Sequence, residues 1–421
     1  MVEFFTDNRR RFSERLPDNT VAFFYAGESK QMSQDDDYPF LVDRNFYYLT
    51  GLTMQGLALI VKKQNTETVS TLYALPHDDH EERWHGKRPD FEELAKISGI
   101  SVSNIKSIDD LEEDAYSFIK TPELKPALDG SSIMNAPRKM RDQITGIRSN
   151  SDILDVKDIL TSMRLCKSDI EADMIRKAAA ITEEAIEAVK EMIVPGVTEE
   201  EIYARLEYEM KKRGSEITAF PTIVSAGSNA FYLHHDIPES GEEGTVKDGS
   251  FVQIDAGARY KGYCGDISRV FFVGYGTDED DKRIVLLDLI RDLRKTCFEN
   301  IGPGMTFNNL NRLMHEMTFG FMREHGLAED GEEVSVAAHK YYWHNTSHYL
   351  GLDVHDLSNT LPKDYRDMPF GEGCCLAVEP GVYIPEWGVG FRIEDDVRVT
   401  SEGCELLSSG NKGDIPEVIF C

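Results

Sequence analysis

Short apolar segments alternate with amphipathic ones along residues 1–165, and this pattern predicts strands and helices in turn. Buried strands are predicted at Val21–Tyr25, at Leu57–Lys62 and in the aromatic, β-prone run Phe46–Leu49. Helical spacing occurs at Phe91–Ile97 and Ile108–Ile119. This mixture predicts an α/β domain, and we find no catalytic motif within it.

A helix with signals at both ends opens the second domain. Ser168–Glu171 read as a capping box, and Pro195–Gly196 end the helix after about Ile193. Its apolar stripe consists of Ile170, Met174, Ile181, Ala185, Val189 and Met192. The break is therefore predicted near Lys157–Lys167, which gives an N-terminal domain of residues 1–165 and a C-terminal domain of residues 166–421.

The second domain contains an internal repeat. Pro195–Gly196 precede a helix that Thr198 caps and Gly214 ends, and Pro303–Gly304 precede a helix that Thr306 caps and Gly326 ends. The two copies are 108 residues apart. A histidine follows each copy, so we expect His234 and His348 at similar places in the two halves. Two such halves would gather their polar residues into one central site.

Each half also carries a pair of carboxylates on a predicted hairpin. A turn near Tyr260–Gly262 would place Asp255 roughly opposite Asp266. A loop centred on Glu386–Trp387 would likewise place Glu379 opposite Glu394. Each acid alone could be a capped turn or a salt bridge. Two like-charged pairs within apolar strands are costly unless cations neutralise them, so the sequence favours bound divalent cations.

Histidines add nitrogen ligands to this set. His344 and His348 have the i, i+4 spacing of the zinc-protease helix, but Asn345 stands where that motif has glutamate. His355 follows within the same short stretch. Carboxylates with one or two histidines suit Mn²⁺, Mg²⁺ or Co²⁺ and tolerate Zn²⁺. Four carboxylates can hold two ions that activate a shared water, and this predicts metal-assisted hydrolysis.

Composition excludes several other classes. The net charge of −29 argues against nucleic-acid binding and against docking to anionic membranes. The chain contains no apolar run long enough to span a membrane, and Met1–Arg11 do not resemble a signal peptide. The seven cysteines, without a CxxC pair, are typical of reduced thiols. We therefore expect a cytoplasmic protein. The polar segment His77–Arg88 fits a solvated loop better than a metal site, and Trp84 within it is a candidate contact residue.

Four segments together resemble the metallopeptidase family with the pita-bread fold, which includes methionine aminopeptidase, prolidase and aminopeptidase P. They are IDAGARYKGYCGDISR, HNTSHYLGLDVHD, VEPGVYIP and RIEDDVRVT. The resemblance covers residues 165–421, and DRNFYYLTGL (Asp43–Leu52) is similar to the N-terminal domain of aminopeptidase P and prolidase. It implies an α/β N-terminal domain and an α+β pita-bread catalytic domain with an internal pseudo-two-fold repeat.

The resemblance also implies roles for individual residues. The metal ligands would be Asp255, Asp266, His348, Glu379 and Glu394, and Asp266 and Glu394 would bridge two ions. The expected metal is Mn²⁺, with Co²⁺ or Zn²⁺ as alternatives. Glu379 would also shuttle a proton. His234 and His355 would contact the scissile carbonyl or stabilise the tetrahedral intermediate, and His344 would lie near the proline side of the substrate. Tyr383, a candidate substrate-binding residue, and Arg392, a candidate catalytic residue, would together hold the carboxylates. Trp84 would be a further substrate contact. His235 is adjacent to His234, so that assignment could shift by one residue.

The implied activity is release of the first residue from peptides with proline in second position. The N-terminal domain disfavours methionine aminopeptidase but does not distinguish aminopeptidase P from prolidase. An Xaa-Pro dipeptidase is therefore the main alternative. A metal-free peptide-binding module and a metal-independent hydrolase of the creatinase type fit the ligand set less well. The resemblance further implies a homodimer or homotetramer, in which Trp84 would reach a neighbouring subunit's site.

Overall fold

The computed structural model describes residues 1–129, 153–274, 281–329, 331–408 and 418–420. The chain divides into two compact units, Met1–Arg164 and Leu165–Cys421. Among the helices in the described ranges, none combines the length and apolar character that crossing a membrane requires.

The first unit is built on a six-stranded mixed sheet. Its strands are β1 (Thr20–Tyr25), β2 (Ala58–Gln64), β3 (Glu67–Ala74), β4 (Ile105–Ser107), β5 (Lys125–Leu128) and β6 (Leu154–Asp155), in the order β4-β3-β2-β1-β5-β6. Strand β1 runs antiparallel to β2 and parallel to β5. All of β1 is buried, since central strands are covered on both faces.

The helices that accompany this sheet in residues 1–129 and 153–165 are α1 (Val2–Arg15), α2 (Arg44–Thr50), α3 (Asp79–His85), α4 (Phe91–Ser98), α5 (Leu111–Lys120) and α6 (Lys157–Leu165). The predicted strand Phe46–Leu49 is wrong, because these residues lie in α2. Asp43 caps α2 by accepting hydrogen bonds from the backbone N–H groups of Asn45 and Phe46, and Gly51 ends it in the left-handed region. These local signals and aromatic burial outweigh the β propensity of the run.

The solvated loop predicted at His77–Arg88 is corrected in part. Its central residues form α3, whose N-cap is Asp78. None of the α3 residues is buried, so the solvent exposure is as predicted although the secondary structure is not. Trp84 lies on this helix with 76% of its surface exposed.

The second unit contains two copies of one arrangement. The first comprises helices α7 (Asp169–Val189) and α8 (Glu199–Lys212) and strands β7 (Ile223–Ala226), β8 (Phe251–Ala256) and β11 (Ile267–Phe272), with the small hairpin β9 (Arg259–Tyr260) and β10 (Tyr263–Cys264). The second comprises helices α9 (Lys282–Asn300), α10 (Phe307–Glu324) and α11 (Val334–Ala338), and strands β12 (Ser347–Tyr349), β13 (Cys375–Val378) and β16 (Asp395–Val399), with the hairpin β14 (Gly381–Ile384) and β15 (Val389–Arg392).

Strand order confirms the repeat. In the first copy β8 pairs antiparallel with β7 and β11, and in the second β13 pairs antiparallel with β12 and β16. Strand β18 (Val418–Phe420) joins the first sheet beside β11, and β17 (Cys404–Leu406) joins the second beside β16. Each copy therefore carries an inserted hairpin between its two inner strands.

Local signals position the helices of both copies. Capping boxes begin α7 at Ser168 and α8 at Thr198, and Thr306 caps α10 through the backbone N–H of Asn309. These caps agree with the sequence prediction. Ile170 does not belong to the buried stripe, because it lies in the first turn of α7 and is 43% exposed.

The first sheet of this unit is buried on both faces. Val252 and Ile254 of β8 pack with α7 and α8, whereas Phe251 belongs to the cluster formed by α9, α10 and the second sheet. Alternate side chains of a strand point to opposite faces, so one strand serves both cores. Polar residues at strand ends are thereby held on a rigid scaffold.

Candidate metal centre

The four predicted acidic ligands lie at the ends of inner strands of the two copies. Asp255 is in β8, and Asp266 immediately precedes β11. The predicted Asp255–Asp266 cross-strand pairing is wrong, since Asp255 pairs with Ser268. The small β9–β10 hairpin lies between the two strands, and its residues shift the register from the predicted one.

The second pair has the predicted register. Val378 pairs with Asp395, so Glu379 and Glu394 occupy the next opposed positions beyond this pair. The two copies meet here, because the backbone N–H of Glu394 donates to the carbonyl of Ser268 at 3.2 Å. The Ser268 hydroxyl also donates to Glu394 Oε2 at 3.0 Å, a contact that no sequence pattern indicated.

His348 of β12 lies among these carboxylates. Its Nε2 is 3.4 Å from Asp266 Oδ2 and 3.9 Å from both Glu379 Oε1 and Glu394 Oε1. One ligand atom from each of Asp266, His348 and Glu394 falls within a span of 4.8 Å. Asp255 lines the same cavity of about 400 Å³. The structure therefore brings all five predicted metal ligands together.

Burial makes this concentration of negative charge costly. The pKa of Glu379 is raised to about 7, chiefly by burial and also by Asp266 and Asp255, against the opposing effect of His348 and Arg392. Burial and the adjacent carboxylates also place the pKa values of Asp266 and Glu394 well above their ordinary range. The site thus has more carboxylates than its protein cations neutralise.

One oxygen of Asp255 tests whether a cation fits. Its Oδ2 accepts from Arg392 Nη2, but its buried Oδ1 has no hydrogen-bond partner among the described residues. A buried carboxylate oxygen without a donor is uncommon, and a divalent cation bound here would satisfy it. The donor set of carboxylate oxygens and one imidazole suits hard divalent metals, so these residues fit a metal centre.

Arg392, Tyr383 and His344 form a connected chain beside the carboxylates. Arg392 Nη1 donates to the Tyr383 hydroxyl at 3.4 Å, and Tyr383 is 3.0 Å from His344 Nε2. His344 Nδ1 donates to the Asn345 carbonyl at 2.9 Å, and this bond defines the tautomer, because a carbonyl only accepts. Tyr383 therefore donates to His344 Nε2, and His344 Nδ1–H also lies 3.4 Å from Glu379 Oε2.

The remaining predicted histidines face the same cavity. His234 and His355 line it, and the His355 ring lies 4.1 Å from the His348 ring. Burial lowers the pKa of His344 to about 4, and burial with the charge of His348 lowers the pKa of His355 to about 4. Both rings are consequently neutral at pH 7.

The expected equivalence of His234 and His348 is wrong. His348 lies within β12, whereas His234 lies beyond β7, after a 3-10 turn at Gly227–Phe231. The structure also distinguishes His234 from its neighbour. His234 lines the cavity, and His235 turns away to contact Glu199.

Several lining residues were missed by sequence reasoning, and Trp84 is absent from the lining. The missed walls are Phe220, Pro221, Ile223, Val354, Tyr365 and Arg366. Val354 lies within the HNTSHYLGLDVHD segment. The others come from separate parts of the chain without a motif, so only the fold brings them together. Trp84 does not line this cavity, and its expected contact with another subunit stays a prediction.

Buried carboxylates and a histidine around one cavity, on a duplicated scaffold, define the class of a metal-dependent hydrolase. Residues 173–401 match the profile of metallopeptidase family M24, and residues 5–125 match the N-terminal domain of aminopeptidase P. The first match spans more than half of the chain. The chain belongs to metallopeptidase family M24, with the two-domain pita-bread architecture that the sequence motifs imply.

Individual relatives are similar over nearly the whole chain. A Bacillus anthracis structure that is assigned as an aminopeptidase P shares 31% identity with a TM-score of 0.86, covering 97% of this chain and 94% of that one. The Xaa-Pro aminopeptidase of Escherichia coli is 28% identical over 96% of this chain and 94% of its own. The Xaa-Pro dipeptidase of Pyrococcus furiosus is also 28% identical, over 86% and 90%.

Proposed function

We propose that this metallopeptidase is an Xaa-Pro aminopeptidase, a two-metal hydrolase that releases the first residue from peptides with proline in second position. The observation that carries the proposal is the convergence of five ligand side chains in one buried cavity. The aminopeptidase P type N-terminal domain and the similarity to an Xaa-Pro aminopeptidase over almost both full lengths support the choice of substrate.

The metal ligands in this proposal are Asp255, Asp266, His348, Glu379 and Glu394. As the family resemblance implies, Asp266 and Glu394 would be the ligands shared by the two ions, and their carboxylates lie 3.4 Å and 3.9 Å from His348 Nε2. When bound, the ions supply Lewis-acid activation of the water and of the scissile carbonyl. The oxygen-rich donor set favours Mn²⁺, with Co²⁺ or Zn²⁺ as alternatives.

Glu379 carries the proton in the reaction. Its carboxyl group lines the cavity together with the other four ligands, where a carboxylate can act in turn as general base and general acid. It accepts a proton from the attacking water and delivers it to the proline nitrogen as that nitrogen leaves. His344 Nδ1 lies 3.4 Å from Glu379 Oε2, so the imidazole ring packs beside this carboxylate.

The other histidines bind the reacting peptide group. His234 and His355 present N–H donors to the scissile carbonyl oxygen as it gains negative charge, where each such donor is worth about 2.7–4 kcal/mol. Arg392 holds Asp255 and, through Tyr383, orients His344. His344 and Tyr383 contact the proline side of the substrate.

We also propose a cytoplasmic homodimer or homotetramer in which Trp84 contacts a neighbouring subunit's site. Cys166, Cys264, Cys297, Cys374, Cys375 and Cys404 are free thiols, which supports a reducing compartment. Cys421 lies outside the described residues. The 76% exposure of Trp84 supports a contact role, since large exposed aromatics are common at interfaces.

Mass spectrometry of products tests the activity directly. Mn²⁺-loaded protein is incubated with an Xaa-Pro dipeptide, an Xaa-Pro-Yaa tripeptide and a longer Xaa-Pro peptide, each with an Xaa-Ala control. We expect release of the first residue from the longer Xaa-Pro peptides. Cleavage of the dipeptide alone would establish the dipeptidase alternative instead. Full activity in Glu379→Gln would refute the assigned role of Glu379.

A further inference from the structure

A buried glutamate outside the metal centre organises the loop that carries His234. Glu199 is the first residue of α8, and its side chain is fully buried. Its Oε1 accepts from the backbone N–H of Ala226 at 2.6 Å and from Asn229 Nδ2 at 2.9 Å. Its Oε2 accepts from His235 Nε2 at 2.8 Å and from the backbone N–H of Glu239 at 3.0 Å.

All four donors belong to one stretch of chain. They lie at positions 226, 229, 235 and 239, so they flank His234 on both sides. A carboxylate only accepts hydrogen bonds, so His235 Nε2 must carry a proton. The position of Glu199 in the first turn of a helix adds a favourable interaction with the helix dipole. Buried carboxylates with several donors are stable as anions, and this one holds the loop at four points.

The same loop reaches the metal centre at a second residue. The carbonyl of Leu233 accepts from Arg392 Nη2 at 3.2 Å, and Arg392 holds Asp255. Leu233 and His234 both line the cavity. The position of His234 is thus determined by Glu199, whose donors flank it, and by Arg392, which binds the residue that precedes it.

We infer that Glu199 is a positioning residue, which holds the His234 loop in the geometry that peptide hydrolysis requires. The inference rests on the proposed function of His234. A displacement of about 1 Å at a reacting group can reduce a rate about 100-fold, and four anchoring bonds prevent such displacement. Among the contacts of the described residues, Glu199 has none with a residue assigned as a metal ligand.

Glu199→Gln tests this inference with little change in volume. The amide keeps one acceptor oxygen but sets an N–H₂ group against two of the four donors. We expect kcat for an Xaa-Pro-Yaa peptide to fall about 10- to 100-fold, with KM and bound Mn²⁺ near wild-type values. Glu200→Gln is the matched control, because Glu200 is the next residue and is exposed, and it should leave kcat unchanged.

Two further comparisons separate positioning from a general structural role. In a His234→Ala background, Glu199→Gln should lower kcat little further, whereas fully additive losses would overturn the inference. His235→Leu should lower kcat, and His235→Gln, which keeps an N–H donor toward Glu199, should restore most of it. Unchanged kcat in Glu199→Gln would also overturn the inference.

Hydrogen exchange distinguishes failure of this inference from failure of the proposed function. In the Mn²⁺-loaded full chain, Glu199→Gln should increase exchange of residues 227–239 relative to Glu200→Gln. If the wild-type protein cleaves no Xaa-Pro peptide, the proposed function fails, while increased exchange would still support loop positioning by Glu199. Equal exchange of residues 227–239 in the two variants would overturn the inference that Glu199 positions the loop.

Discussion

Removing the charge of Glu379 should stabilise the metal-free protein at neutral pH. Burial raises the pKa of this carboxyl group from the ordinary value of 4.5 to about 7. At about 1.36 kcal/mol for each pKa unit, this corresponds to about 3 kcal/mol. Glu379→Gln is therefore expected to increase the free energy of unfolding of the metal-free protein by about 3 kcal/mol at pH 8.

Proton binding to Glu379 makes the stability of the metal-free protein depend on pH. The folded state binds the Glu379 proton more tightly than the unfolded state does, so stability is greatest below pH 4.5 and falls as pH rises toward 7. The stabilising effect of Glu379→Gln should consequently be close to zero at pH 4 and complete above pH 7. With Mn²⁺ bound, the wild-type protein should be more stable than Glu379→Gln. Metal binding stabilises the wild type more, because the variant has lost one of the side chains that hold the metal.

Urea unfolding followed by tryptophan fluorescence measures this difference. The chain has three tryptophans, Trp84, Trp343 and Trp387, and only Trp84 lies in the first unit. A Trp84→Phe background therefore reports on the catalytic unit alone, which avoids treating two units as one transition. A metal-free Glu379→Gln protein no more stable than its parent at pH 8 would refute the electrostatic reasoning.

Three further predictions concern other parts of the catalytic unit. Gly381→Ala should reduce kcat at least about 10-fold, because the added Cβ would lie 2.7 Å from His344 Nε2; wild-type kcat in a steady-state assay would contradict this. Glu209→Gln should reduce the loss of stability between pH 5 and pH 2. The hydrogen bond to Arg213 lowers the pKa of Glu209 to about 2, so the stabilisation is present above pH 4.5 and is lost on acidification. Thermal unfolding across this pH range in the presence of chelator measures how steeply stability falls, and equal steepness in variant and wild type would contradict the prediction. Thr306→Ala should lower the free energy of unfolding by about 1 kcal/mol through loss of an N-cap. Thr306→Ser, which keeps a hydroxyl, should retain most of this stabilisation when both variants are measured by the same urea titration.

Sequence-local signals explain why much of the second unit could be predicted. Capping boxes at Ser168 and Thr198 depend on residues three positions apart, so neighbouring residues alone define where α7 and α8 begin. The register of Glu379 and Glu394 was also predictable, because a short hairpin connects them. Family motifs identified the five ligand positions, since these residues occur in a fixed order with specific neighbours.

Other features depended on more than the propensity of a segment and the spacing between two residues. Phe46–Leu49 has β propensity, but the Asp43 cap and burial of its aromatic side chains make it helical. Asp255 and Asp266 do not pair directly, because the β9–β10 hairpin shifts the register. Neither outcome follows from propensity or from the count of residues between two positions.

The sequence by itself determined the helix ends, the repeat and the chemistry of the ligands, because each depends on residue type and short spacing. Only the tertiary structure decided which side chains meet. The bond from Ser268 to Glu394 joins residues 126 apart, and Glu199 reaches His235 across 36 residues. Hydrogen bonds require donor and acceptor within about 3 Å, and only the packing of distant segments against each other creates such distances.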